Sequence, residues 1–338
     1  MSMETRKRKT LRDLLASGKQ LLAPCAYDCL TARALELAGF DAILLSGGAM
    51  GYMYGTKSQE GVFVEEMVRI TENMANTVSI PIVVDAGDGH GDMVTSVYRN
   101  IRRLALAGAA GVTIEDSDGW FSKTPLPFRG KGGVRQRKDL NRIMSPFALG
   151  PCMSDNFRGF RPVVERDKFL EKIKAAVLAC EGTDCIVIAR VEAYDTWGFD
   201  EVIERVKAAM ELGAEMWTVC LGMWSEADAR MFSEALHGWA MWPDLTSHDR
   251  KPNVPVDTLK QLGFNFVTFH IAEKAVMYGM EKFGHEIFKT KSTVSIDNVQ
   301  IDGLTSEQAL DVLNMDLKRV LAAERRFYGA QPVPRQHP

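Results

Sequence analysis

One unit recurs along this chain of 338 residues: an amphipathic helical stretch, an Ala-Gly or Leu-Gly pair, and a short β-branched strand. It reads ALELAGFDAILLSGG at 34–48, LALAGAAGVTIED at 104–116, AMELGAEMWTVCLG at 209–222 and LKQLGFNFVTFH at 259–270. Each Gly offers the left-handed backbone that ends a helix, and the strand starts two or three residues later. Four more apolar runs, at 20–27, 80–87, 184–191 and 238–245, raise the expected strands to eight. These runs are near-continuous instead of alternating, as in parallel strands covered by helices on both faces. Eight βα units without a Pro- or Ser-rich linker point to an α/β fold, a (β/α)8 TIM-type barrel. A doubly wound open sheet is the competing architecture, and the lack of a G-x-G-x-x-G after the first strand counts against it.

The rhythm breaks once. After the fourth strand, a Gly-, Pro- and Arg-rich stretch at 117–160 shows little periodicity. A loop of that length at the C-terminal end of a barrel strand is expected to gate the site. The expected organisation is therefore a catalytic barrel over 1–285 with an inserted gating loop at 117–160. A helical extension over 286–338 is expected to make oligomer contacts. Net charge is −3 with both signs interspersed, which favours neither nucleic acid nor an anionic membrane as partner. No apolar run approaches the length of a membrane span, and MSMETRKRKTLRDLL lacks the apolar core of an export signal, so a cytoplasmic protein is expected. The six cysteines show no zinc-ligand spacing, and Cys25, Cys29, Cys180, Cys185 and Cys220 read as reduced core thiols.

Barrel chemistry is built at the C-terminal ends of the strands. Those positions hold Tyr27 and Asp28, then Ser46-Gly47-Gly48, then Asp85 with Asp88, then Glu115 and Asp116. Arg190 and Glu192 follow, and the last two strands end near Asp244 and His270. Carboxylates that converge in one cleft repel one another unless a cation sits among them. Oxygen donors without accompanying Cys or His favour Mg²⁺, with Mn²⁺ as the alternative. Arg190 suits bidentate binding of a substrate carboxylate, and Ser46-Gly47-Gly48 presents successive N–H groups to an oxyanion. The plainer readings are that Asp28 and Asp116 cap helices and that His270 is a satisfied core histidine.

The segments APCAYDCLTARALELAGFDAILLSGG, PIVVDAGDGHGD, VTIED, FLEKIKAAV and IARVEAYDTWGFDEVIERVKAAMELGA resemble the isocitrate lyase/phosphoenolpyruvate mutase superfamily. The resemblance implies an α/β barrel and a homo-oligomer, tetramer or dimer. It also implies Mg²⁺-dependent making or breaking of a C–C or C–P bond next to a pyruvate-type enolate. Under it, Ser46, Gly47 and Gly48 match the carboxylate cradle, Asp85 the first metal acid, and Glu115 the acid of the fourth strand end. Arg190 matches the carboxylate-binding Arg, with Glu192 beside it, and Tyr27 lines the pocket. Gly87 replaces the second acid of the family's D-x-D motif, with Asp88 next door as a substitute ligand. The lyases' Lys-x-Cys-Gly-His loop is absent. WFSKT at 120–124 echoes the mutase loop, which gives Lys123 a role over a transferring phosphoryl group, although Pro125 stands where mutases carry Asn.

The expected metal set is thus Asp85, Asp88 and Glu115, and the catalytic set is Lys123, Arg190, Glu192 and Tyr27. The expected substrate is a small 2-oxo acid, dicarboxylate or phosphonate, with mutase- or phosphonopyruvate-type chemistry ranked first. C–C lyase or decarboxylase chemistry ranks second, and a non-catalytic ligand-binding or scaffold barrel third.

Overall fold

The computed structural model describes residues 10–56, 61–117, 163–220, 223–245, 247–248 and 251–294, together with 322, 324–327 and 329. Eight parallel strands close into a barrel. They are β1 (Leu21–Ala26), β2 (Ile43–Leu45), β3 (Ile82–Asp85), β4 (Gly111–Glu115), β5 (Ile186–Val191), β6 (Met216–Val219), β7 (Trp239–Trp242) and β8 (Phe264–Phe269). Each pairs in parallel with its chain neighbour, and β8 closes on β1. All eight strands lie inside the runs expected from sequence. A two-residue antiparallel pairing of Ser247–His248 with Lys251–Pro252 lies outside the barrel.

Side chains alternate across each strand. Leu21, Ala23 and Cys25 of β1 share the lumen with Leu44, Val83, Ile188 and Phe266. Ile43, Val84, Ile114, Val187 and Val191 pack outward under the helices. The same parity, carried to the C-terminal ends, brings Ser46, Asp85, Arg190 and His270 onto the lumen side. The periodicity that builds the core therefore also aims the polar residues into the mouth.

The opposite end is plugged by the helix Leu11–Ala16, whose Leu11 and Leu15 are buried in the lumen cluster. Thr10 caps that helix with a reciprocal Asp13 capping box. Arg12 pins it through two 2.7 Å bonds to Glu215. Gly111 makes room for the plug, because a Cβ there would lie 3.3 Å from Leu11 and 3.1 Å from Ile186. Gly108 ends the helix Val94–Leu106 at φ 102°, and a Cβ there would sit 2.8 Å from the Ala75 Cβ. A side chain at Gly108 is thus excluded by both backbone strain and contact.

The chain divides into two compact units, Met1–Tyr278 and Gly279–Pro338, and the barrel belongs to the first. Most of the expected gating loop, Lys123 within it, and most of the 286–338 extension lie outside the described residues. The segment's flanks meet: Ser117 forms an antiparallel bridge with Val163, and Val164 N–H donates to the Asp116 carbonyl at 2.8 Å. Among the described residues, no helix is long and apolar enough to cross a membrane.

Candidate active site

The ends of β3, β4 and β5 gather Asp85, Glu115, Arg190 and Glu192 into one cluster, with Glu115 and Glu192 buried and Asp85 and Arg190 partly so. Arg190 Nη1 lies 3.1 and 3.2 Å from the two Asp85 carboxylate oxygens. Its Nη2 is 3.2 Å from Glu115 and 2.6 Å from Glu192, and its Nε donates to Glu192 at 2.7 Å. Thr113 Oγ1 donates to Asp85 at 2.9 Å, and Ser117 Oγ donates to Glu115 at 2.6 Å. These hydrogen bonds fix the rotamers of both acids. Burial works against the guanidinium charge, but Cys220 and the surrounding acids Glu115, Glu192 and Asp85 outweigh it and hold the Arg190 pKa well above its ordinary value. Arg190 is a cation at every physiological pH.

The glycine-rich turn after β3 sends its three acids to different places. Asp85 enters the cluster. Asp88 instead accepts from the buried Lys172 Nζ at 3.0 Å and from the His90 N–H at 3.0 Å. Asp92 pairs with Lys168 at 3.1 Å. Lys168 and Lys172 sit one turn apart on the helix Arg166–Cys180, so these two acids dock the turn on that helix. The structure therefore does not bring Asp88 into the Asp85–Glu115 group as a substitute for the acid missing at Gly87. His90, at φ 55°, lies between the turn and Met67, and burial pushes its pKa down.

Sequence reasoning did not foresee a support behind Glu192. Its N–H donates to the fully buried Asp116 at 2.7 Å, and Asp116 pairs with Arg205 at 3.1 Å. Arg205 also reaches Glu201, which is paired in turn with Arg166. Burial raises the Asp116 pKa to about 7 in spite of Arg205. Asp116 thus orients the β5 end instead of capping a helix. Asp28 does cap, accepting from the Thr31 N–H at 2.7 Å. Tyr27 is partly buried at the β1 end, and burial, with Asp28 and Glu273 nearby, raises its pKa.

Across the lumen, Ser46 is buried at the end of β2 and starts the short helix Gly47–Met53, accepting from the Ala49 N–H at 3.3 Å. Gly47 and Gly48 follow it as the first residues of that helix. Ser46 Oγ lies 3.2 Å from His270 Nε2, and His270 Nδ1 lies 3.3 Å from Asp244. This Ser46–His270–Asp244 chain is a second polar constellation in the mouth. Its only sequence signal was the position of His270 and Asp244 at strand ends.

The donor chemistry suits a hard divalent cation. Among the described residues no three Asp, Glu, Cys or His side chains are grouped as a ready metal cage. Mg²⁺, however, is commonly held by one or two carboxylates with water and substrate completing its shell. Asp85 and Glu115 meet that requirement, and with Glu192 they place more formal charge on the cluster than one guanidinium offsets.

This arrangement is that of a barrel enzyme with its chemistry at the strand ends. A family model described as phosphoenolpyruvate phosphomutase matches residues 11–283, and the chain belongs to that family, within the isocitrate lyase/phosphoenolpyruvate mutase superfamily of enzymes. The 2,3-dimethylmalate lyase of Eubacterium barkeri is 25% identical over 273 residues, covering 79% of this chain and 82% of that protein. The phosphonopyruvate hydrolase of Variovorax sp. (strain Pal2) is 30% identical over 211 residues, 62% of each chain. Among solved structures, oxaloacetate acetylhydrolase superposes with a TM-score of 0.71 at 22% identity, covering 95% of this chain and 98% of that one.

Proposed function

We propose that this protein is a Mg²⁺-dependent enzyme that breaks or forms the bond to C3 of a small 2-oxo or 2-hydroxy acid through a pyruvate-type enolate. The observation that carries this reading is the convergence of Asp85, Glu115 and Glu192 on Arg190 at three adjacent strand ends. Asp85 and Glu115 are the residues that would hold the metal, which, when bound, polarises the substrate's 2-oxygen and stabilises negative charge on it. Ser46, Gly47 and Gly48 orient a substrate carboxylate. Arg190 keeps the acids in register and offers a cation to the substrate oxygen that faces them. Glu192, fixed by Asp116, holds the Arg190 fork in place.

Breaking a C–P bond ranks first, because the chain lacks the Lys-x-Cys-Gly-His proton-donor motif and one relative is a phosphonopyruvate hydrolase. Breaking a C–C bond is the second reading, favoured by the similarity to 2,3-dimethylmalate lyase. The test is a proton and phosphorus NMR assay with Mg²⁺ on phosphoenolpyruvate, phosphonopyruvate, oxaloacetate, 2-methylisocitrate and 2,3-dimethylmalate. Turnover of one substrate that EDTA abolishes, and that Asp85→Ala lacks, is the expected result. Asp85→Ala with undiminished turnover would refute the metal assignment.

A further inference from the structure

The polar groups that the described residues place against the His270 ring can each act as an acceptor. Asp244 faces Nδ1 at 3.3 Å, and Ser46 Oγ, already receiving the Ala49 N–H, faces Nε2 at 3.2 Å. The fully buried Cys25 thiol also faces the imidazole. A ring surrounded in this way satisfies its neighbours best when both nitrogens donate. We propose that His270, held by Asp244, is a positioning residue whose imidazolium donates to Ser46 Oγ and thereby turns the Ser46 hydroxyl toward a carboxylate of the substrate. The role rests on the carboxylate-cradle reading above and deepens it: the cradle gains a charge-assisted donor chain, His270 to Ser46 to substrate. Hydrogen bonds in such a chain polarise one another, and the one from the cation is the stronger kind.

The geometry superficially matches a Ser–His–Asp nucleophile. An imidazolium cannot take the Ser46 proton, so Ser46 acts as a donor to substrate and not as an attacking group. The charged groups facing the ring support this state. Burial disfavours the cation, but Cys25 on β1 and Asp244 after β7 outweigh it and hold the His270 pKa well above 6.5. Burial raises the Cys25 thiol, and the facing imidazole draws it back down, so the two groups share the charge balance of this pocket. The sign follows directly: anion binding at the cradle is strongest while His270 is protonated and weakens as pH rises through its raised pKa.

The test uses the full chain in two measurements. Histidine labelled at Cε1 is followed by NMR across pH, with the His270 signal assigned by its loss in His270→Gln. The expected titration lies above 6.5, and Asp244→Asn shifts it downward. Oxalate binding with Mg²⁺ is then measured calorimetrically against pH. Wild type should bind evenly through neutral pH and lose about tenfold in affinity as His270 deprotonates, the effect of one charge-assisted hydrogen bond. His270→Gln, which keeps a polar side chain without charge, should be weaker by about tenfold at neutral pH and lack that step. A wild-type His270 titrating at or below 6.5 overturns the proposal. So does oxalate binding by His270→Gln with the affinity and pH profile of wild type, a result that leaves the metal-site reading standing. Wild type that binds no oxalate at any pH overturns both.

Discussion

Replacing Arg190 with Met tests whether the acidic cluster is organised around a compensating cation. The guanidinium lies 3.1 and 3.2 Å from the Asp85 oxygens, 3.2 Å from Glu115 and 2.6 Å from Glu192. In an effective dielectric of about 20, each such pair attracts by on the order of 5 kcal/mol. Burying the ions takes back much of that gain, so removing one partner of a buried group costs a net of about 3–5 kcal/mol. Arg190→Met should therefore lose stability of that order near neutral pH in EDTA, because three carboxylates then face one another without the cation. Two conditions should restore it: acidification, which protonates the acids, and Mg²⁺, which supplies the missing charge. The variant should also bind Mg²⁺ more tightly than wild type, since no guanidinium competes for the Asp85 and Glu115 oxygens. Urea unfolding followed by tryptophan fluorescence, with EDTA or Mg²⁺, reads all of this. A variant as stable as wild type in EDTA at neutral pH, or one that Mg²⁺ does not rescue, would refute the reasoning.

Other outcomes follow from the fold and the buried network. Leu11→Ala empties part of the lumen plug and should cost about 2–5 kcal/mol in urea unfolding, with catalytic constants of the folded fraction unchanged. Asp116 has a folded pKa of about 7 against 3.8 as reference, so between those values the folded state binds more protons than the unfolded one. Its contribution to stability therefore falls as pH rises through that window, by on the order of 1.4 kcal/mol per unit at most, and levels off above it. Asp116→Asn should flatten that part of the pH–stability curve, and an unchanged slope would contradict the assignment. Lys172→Met leaves Asp88 without its buried cation and should cost about 3–5 kcal/mol. The double variant with Asp88→Asn should recover much of that loss, as a thermodynamic cycle would show.

The barrel was legible because its signals are local. A glycine that ends a helix and the apolar run behind it are neighbours in the chain, and four such units with four further apolar runs leave few architectures open. The Asp85, Glu115, Arg190 and Glu192 group was legible for a related reason: parallel strands of one barrel bring equivalent ends together, so strand position alone predicts proximity. Pairings that depend on which rotamer meets which distant partner were not legible. Asp88 looked like a metal ligand beside Asp85, and only the fold reveals Lys172, 84 positions away, as its partner. Asp116 and Arg205 are 89 residues apart, and Ser46 and His270 are 224 apart. Hydrophobic period says which face a residue occupies, not what waits across the lumen.

The mouth is electrically lopsided, and that asymmetry bears on how a substrate could enter it. On the β3–β5 side, three carboxylates share one guanidinium. On the β8–β2 side, an imidazole held by a single carboxylate backs a serine and two glycines. A small acid with a carboxylate at one end and a carbonyl oxygen at the other meets two different walls. Turned one way, its carboxylate meets the Ser46 donors and its oxygen faces the acids that would hold a divalent cation. Turned the other way, carboxylate is set against carboxylate at a few ångströms, a repulsion comparable to the attractions that hold Arg190. Orientation is then decided by residues on rigid strand ends, which makes it insensitive to sequence change in the long segment after β4. On the proposed enolate chemistry, the choice of which bond is broken is then expected to follow that segment. Exchanging it between lyase and phosphonate-type relatives should alter the reaction while leaving Mg²⁺-dependent oxalate affinity within about threefold, less than the energy of one hydrogen bond. A larger change in affinity would mean that the segment, and not the strand ends, holds the acid.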